Sequence, residues 1–264
     1  MRKGFAIPLA AILTLFIIAN NACGGPEAPQ VQFTATPTLG STSKIIQFLD
    51  QSKGADITSW FWDFGDGQTS TQKSPSHTYS KMDVYSVSLT VTDKNGSATQ
   101  TKTGYINIFN HIAVIETTMG PIKFGLYEDR TPITTANFIK LANSGFYNGL
   151  LFYGVIDELM IQGGDPIGTG SGGSPDTISL EINEELTNID GAVGMVRLPK
   201  DPNSATSKFY ICDGPQDDLD GTYAVFGQVL EGMDVVRAIT AVPTGANYKP
   251  LEDVKMTKVS IQST

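Results

Sequence analysis

Between Tyr85 and Thr92 apolar and hydroxyl-bearing residues alternate without a break, Tyr85, Val87, Leu89 and Val91 on one side and Ser86, Ser88, Thr90 and Thr92 on the other. A period of two fits an extended strand with one face buried and one wet, so a second apolar surface must cover it. Asn95-Gly96 follows as a tight-turn signal, and the next strand ends on Tyr105-Ile106-Asn107-Ile108. From Val31 to Ile108 short Thr- and Ser-rich strands recur almost without helical periodicity, which predicts a β-sandwich. The whole chain has 264 residues, 40 % hydrophobic and 17 % charged, which leaves room for a second core-burying domain. Its formal charge of −9 repels phosphate backbones, so nucleic acid is not an expected partner.

The first 30 residues follow a different logic. Arg2 and Lys3 form a short basic region, Phe5 to Ala19 is an apolar run, and small residues lead to Ala22-Cys23. This is the plan of an export signal, too short to span a membrane comfortably. Cys23, followed by Gly24-Gly25-Pro26, resembles the lipid-modified cysteine of prokaryotic lipoproteins, with Asn20 where such signals place an apolar residue. The resemblance implies lipid attachment at Cys23 and an exported protein, anchored to a membrane of the cell envelope or cell surface. Glu27 to Gln30 then reads as a linker. Cys212 is the one remaining thiol, so no intrachain disulfide is expected and packing alone must hold the fold. Its neighbours Phe209-Tyr210-Ile211 are apolar, which makes it a small core residue.

The run Trp60-Phe61-Trp62-Asp63-Phe64-Gly65-Asp66-Gly67, with Ser76-His77-Thr78-Tyr79 and the strand from Val87 to Asp93, resembles the PKD domain, an immunoglobulin-like module. Trp60, Trp62 and Phe64 alternate, so they share one face, expected to be the sandwich core rather than a carbohydrate-stacking platform. Asp63 and Asp66 flank a glycine turn and are expected to brace it through backbone N–H groups; two carboxylates are too few for calcium. The resemblance implies a spacer or contact surface in an exported protein, with glycan or protein contacts as the partners.

Beyond Asn110 the pattern changes. Ile112 to Glu116 and Ile122 to Tyr127 alternate around Met119-Gly120-Pro121, a hairpin. Thr131-Pro132 offers a cap and a first-turn proline, Phe138, Leu141 and Ala142 recur at helical spacing, and Gly145 ends the run. A second helix is predicted over Gly232 to Ile239. The rest reads as strands and glycine loops. Phe152, Met160-Ile161-Gln162-Gly163-Gly164-Asp165, Gly191-Ala192-Val193-Gly194-Met195, Ser207, Phe209-Tyr210-Ile211-Cys212, Leu219-Asp220-Gly221 and Val225-Phe226-Gly227-Gln228-Val229 together resemble a cyclophilin, a peptidyl-prolyl cis/trans isomerase, over Ile112 to Ile261. That resemblance implies an eight-stranded barrel with two capping helices and a peptide groove on its outer wall. The expected organisation is a signal peptide (1–22), an anchor cysteine and linker (23–30), a PKD sandwich (31–108) and a cyclophilin-type domain (110–264), mostly β throughout.

Isomerising an Xaa-Pro bond requires loss of amide resonance, not a nucleophile, metal or cofactor, so none is expected. A catalyst must seat the proline ring, fix the flanking carbonyls and stabilise the twisted amide over the planar one. In the family an arginine donates to the prolyl nitrogen, and here that position is Gly154. By resemblance, Gln162 positions the substrate, while Phe152, Leu159, Met160, Val196, Lys208, Tyr210, Leu219 and Tyr223 bind it. Further departures are Tyr153 for histidine, Asp157-Glu158 for Pro-Gly, Leu159 for phenylalanine, Lys208 for glutamine and Asp218 for tryptophan. Arg197, with Lys208 on the same wall, is the candidate replacement cation. Two readings follow: an isomerase acting on exported proteins with reduced activity, or a non-catalytic peptide-binding or scaffold lipoprotein. Gly168 to Gly173 spells a dinucleotide-like glycine pattern, but Pro175 follows and no helix opens there. Asp217 to Gly221 lacks the spacing of a calcium loop and reads as a turn.

Overall fold

The computed structural model describes residues 27–264, so the expected signal peptide and Cys23 lie outside the described residues. Glu27 to Gln30, expected as a linker, is instead pinned to the first unit. Gln30 N–H donates to Lys53 O (2.7 Å) and Asn95 Nδ2 donates to Glu27 O (3.0 Å).

The first unit is a sandwich of two sheets. Its strands are β1 (Phe33–Thr36), β2 (Leu39–Gly40), β3 (Ile46–Asp50), β4 (Ser59–Asp63), β5 (Thr69–Ser70), β6 (Ser76–His77), β7 (Asp83–Asp93) and β8 (Gly96–Ile108). One sheet has the order β1-β3-β6, the other β2-β8-β7-β4-β5. The alternation read in β7 holds: Tyr85, Val87, Leu89 and Val91 enter the core with Phe33, Phe48 and Ile106. Asp93 faces Gly96 across the turn, which is Lys94-Asn95 rather than Asn95-Gly96. The Asp93 carboxylate fixes it by accepting from Asn95 N–H (2.7 Å) and Ala55 N–H (2.9 Å).

Trp62 and Phe64 are core residues, whereas Trp60 is only partly buried against them. Trp60 Nε1 donates to Asp50 Oδ2 (2.8 Å) and Lys73 Nζ lies 5.6 Å from its ring centroid, so the indole is a braced edge. The acidic turn does what its sequence implied. Asp63 accepts from Gly65 N–H (2.9 Å), and Asp66 from Gln68 N–H (3.0 Å) and from His77 Nε2 (2.8 Å).

The second unit curls one antiparallel sheet into a barrel. In chain order it contains β9 (His111–Thr117), β10 (Gly120–Leu126), α1 (Pro132–Asn143), β11 (Gly154–Ile156), β12 (Met160–Gly163), β13 (Ala192–Met195), β14 (Phe209–Cys212), β15 (Val225–Glu231), α2 (Met233–Thr240) and β16 (Met256–Ser263). The strand order is β11-β12-β14-β13-β15-β10-β9-β16. Its two edges are stitched before β11 and at the start of β16, where Phe152 N–H donates to Val254 O (3.0 Å) and Met256 N–H to Leu150 O (2.8 Å). Phe138 and Leu141 of α1 and Val236 and Ile239 of α2 plug the interior around Phe124, Phe152, Phe209 and Phe226.

Thr131 precedes α1 but makes no cap; its hydroxyl donates to Tyr127 O (3.1 Å). The orphan N–H groups of Ile133 (3.0 Å) and Thr134 (2.6 Å) are taken by the Glu181 carboxylate, a cap delivered from a distant loop. The second helix starts after Gly232, whose φ of 92° reverses the chain out of β15.

Only Phe109 and Asn110 separate β8 from β9. The Phe109 ring lies where a side chain on Gly125 would stand, so the junction is laid flat on the barrel wall. Arg130, 8 % exposed, reaches across: Nη2 donates to Met82 O, Nη1 pairs with Asp83 (3.3 Å) and the guanidinium stacks on Tyr127 (4.2 Å). Met82 N–H returns a bond to Asp129 (3.0 Å).

Candidate functional site

On the outer wall of the barrel four residues stand in one row. Gly154 of β11 faces Gln162 of β12, Gln162 faces Tyr210 of β14, and Tyr210 faces Gly194 of β13. The Tyr210 ring occupies the space over Gly194, which requires glycine there. Its hydroxyl donates to Asn188 Oδ1 (2.6 Å), and its ring meets Tyr223 edge to face at 6.1 Å. Burial of the phenol pushes its pKa well above the ordinary range, so it stays a neutral donor.

Met160 and Tyr210, almost buried, form an apolar layer whose partly exposed members include Leu159, Val196, Leu219 and Tyr223. The structure thus brings together six of the sequence-derived residues. Phe152 is the exception. It is 1 % exposed and belongs to the barrel interior with Phe209 and Phe226, so it is a core residue rather than a groove wall. Val155 of β11 also faces the interior, so strict alternation would put Phe152 on the outer row with Gly154; the alternation is broken in the segment before β11, where Phe152 N–H closes the barrel on Val254 O.

Gly154 is not a glycine by conformational need. Its φ lies outside the left-handed region, and an added Cβ would meet Gln162 at 3.4 to 3.6 Å, ordinary contact. Gln162 has one side-chain partner, the Met160 sulfur at 3.3 Å, so its amide is weakly committed.

The candidate cations stand elsewhere. Arg197 Nε donates to Thr222 O (2.8 Å), and Nη1 to Leu198 O (2.9 Å) and Pro199 O (3.2 Å), with the guanidinium 5.2 Å from the Tyr223 ring centroid. Three strand spacings separate Gly154 from Gly194, roughly 14 Å, and Arg197 lies beyond Gly194 on the same chain segment. Arg197 is held beside Tyr223 by backbone carbonyls, with Nη2 alone uncommitted. Lys208 Nζ donates to Gly170 O (2.6 Å). The other arginines of the described residues are used structurally, Arg130 at the junction and Arg237 with Asp190 (2.7 Å). A cavity of about 280 Å³ opens between Gly172, Gly173, Val196, Arg197, Thr206 and Lys208.

The glycine run that imitates a dinucleotide loop has another organiser. Asp165, fully buried, accepts from the N–H groups of Ile167 (3.0 Å), Thr169 (3.0 Å) and Gly170 (2.6 Å). Burial opposes its charge, but these donors and Gly172 N–H outweigh it and hold the carboxyl below its usual range. Cys212 is buried, which raises its thiol to about 12 and keeps it protonated. The Asp217–Leu219 segment is a single 3₁₀ turn, and no cluster of metal-ligating residues occurs among the described residues.

Asn188 and Thr222 do not stand out in the sequence, and Asp220 does so only within the Leu219-Asp220-Gly221 motif. The signal for the first was indirect: a tyrosine at a buried apolar position needs a partner for its hydroxyl.

The family model for cyclophilin-type peptidyl-prolyl cis-trans isomerases matches residues 112–261, and that for the PKD domain matches residues 26–108. Peptidyl-prolyl cis-trans isomerase-like 1 of Neurospora crassa is 39 % identical over 150 residues, 56 % of this chain and 91 % of that protein. The Homo sapiens protein of the same name is 37 % identical over 147 residues, 54 % of this chain and 88 % of its own. A crystal structure of a Cryptosporidium parvum cyclophilin-type isomerase superposes with a TM-score of 0.57 at 31 % identity, over 58 % of this chain and 98 % of that one. The chain belongs to the cyclophilin-type peptidyl-prolyl cis-trans isomerase family and carries a PKD domain ahead of the isomerase domain.

Proposed function

We propose that this chain binds proline-containing segments of exported proteins in the row between Gly154 and Tyr223 and isomerises them slowly. The carrying observation is an apolar layer on the outer wall whose Gly154 end carries no guanidinium. Met160, Leu159, Leu219, Tyr210 and Tyr223 would receive the proline ring, and the weakly committed Gln162 amide would fix a flanking carbonyl. The related Cryptosporidium parvum structure determined in the presence of the dipeptide Ala-Pro supports a ligand of this class.

Rate and affinity separate here. Fixing the ring and its carbonyls lowers the free energy of planar and twisted amides alike, which gives binding without acceleration. The missing arginine is the group that prefers the twisted form, and loss of one such donor costs roughly 10²- to 10³-fold in rate. Arg197, with two of its three nitrogens engaged by backbone carbonyls, is expected not to take its place. Its Nη2 and the nearby Lys208 would instead meet carbonyl or acidic groups of the peptide at the 280 Å³ cavity. The setting proposed is the cell envelope, with Cys23 as lipid anchor and the PKD domain as spacer.

The test is cis/trans exchange of a short Xaa-Pro peptide followed by NMR. The full chain should bind and accelerate exchange weakly, Gly154→Arg strongly, and Arg197→Ala should leave the residual rate unchanged. Binding with no acceleration would establish the second reading, a silent peptide-binding module. Loss of the rate in Arg197→Ala would restore Arg197 as the catalytic cation.

A further inference from the structure

The apolar layer that ends in the groove does not begin there. Met82, from the first unit, and Phe109, at the junction, belong to the same contiguous cluster as Tyr127, Ala192, Val225, Met160 and Tyr210, with Leu186 packed against it. Met82 is nearly buried yet is not part of the sandwich core, so its burial comes from the contact between the units.

One segment links this contact to the groove. Its Glu185 accepts both bonds of Lys81 Nζ at 3.0 Å, and Leu186 follows. Two residues on, Asn188 is 1 % exposed and fully engaged. Its Oδ1 accepts the Tyr210 hydroxyl (2.6 Å), while its Nδ2 (2.8 Å) and backbone N–H (2.7 Å) both donate to Asp220 Oδ1. Its carbonyl accepts from Gln216 N–H (2.7 Å), the residue before the turn that presents Leu219. Asn188 therefore ties the groove floor to the groove's Leu219 end.

We propose that Asn188 is a positioning residue of the groove, and that the PKD domain, by seating Met82 and Lys81 against the segment that carries it, sets the groove's shape. The functional half rests on the peptide-binding reading above; the structural half does not. In a buried network the loss of one partner leaves the others unsatisfied, so the effect of removing Asn188 is expected to spread to both Tyr210 and the Leu219 turn.

Two measurements on the full chain decide it. First, the methyl resonances of Leu159, Met160, Leu186 and Leu219 are compared between wild type, Asn188→Ala and Met82→Asp. Met82→Asp should undock the units, seen as faster tumbling of each, and should shift Leu186 and Leu219. Undocked units with an unmoved Leu219 methyl would overturn the role of the PKD domain. Second, the dissociation constant of an Ala-Pro-containing peptide is measured for Asn188→Ala, Tyr210→Phe and the double variant. Asn188→Ala should weaken binding by about tenfold, by much less when Tyr210→Phe is already present, and should leave the rate at saturating peptide unchanged. Equal losses in both backgrounds would overturn the positioning role. A wild type that binds no peptide would sink the functional reading, while the methyl shifts would still decide the structural one.

Discussion

The acidic turns of the sandwich and the outer row of the barrel treat their polar side chains in opposite ways. In the sandwich, Asp63, Asp66 and Asp93 direct their oxygens at backbone N–H groups, His77 stacks on Phe64, and Trp60 gives its N–H to Asp50. Along the barrel's outer wall, Gln162 finds only a sulfur and Arg197 keeps Nη2 uncommitted. A region whose donors and acceptors are already paired acts as scaffold. A region that leaves some unpaired beside an apolar layer has capacity for a ligand.

This contrast can be broken by substitution. The largest effect is expected at Trp62, fully buried in the sandwich: Trp62→Ala should destabilise the first unit by about 3–5 kcal/mol in denaturant unfolding. On the barrel wall the comparable step is a gain. Gly154→Arg should raise kcat/KM roughly 10²-fold, because the Cβ fits and the donor is restored. Asp165→Asn should cost about 1–3 kcal/mol at neutral pH. The sign follows from a folded-state pKa held low: the carboxylate's stabilisation is present above the ordinary carboxylate pKa of about 4 and disappears as pH falls through the lowered folded value. Thermal midpoints of wild type and variant should therefore converge on acidification. Arg197→Ala should weaken the binding of a peptide with an acidic residue beside its proline about fivefold, measured by calorimetry, and should spare a neutral one. Phe61, one position from Trp62 but 49 % exposed, should tolerate Ala within about 0.5 kcal/mol.

Sequence carried most of the fold because its two periodicities were clean. β7 alternates from Tyr85 to Asp93, and α1 shows helical spacing between a proline and a glycine. The cap of α1 was not legible, since Glu181 reaches it from 48 residues away from Ile133. Phe152 was misplaced for a related reason: a motif gives order along the chain, whereas the face a residue occupies depends on where the barrel closes. Arg197 has the expected charge, and two of its carbonyl partners, Leu198 and Pro199, are its own chain neighbours; the third, Thr222, comes from a loop whose approach no local pattern encodes.

The two-residue junction changes what kind of object the PKD domain is. A flexible spacer would let the groove sample a sphere set by linker length, presenting its mouth in every direction. With Phe109 laid on the wall and Arg130 clasping Met82, the sandwich behaves as a handle: it transmits torque as well as position, and whatever grips the handle aims the groove.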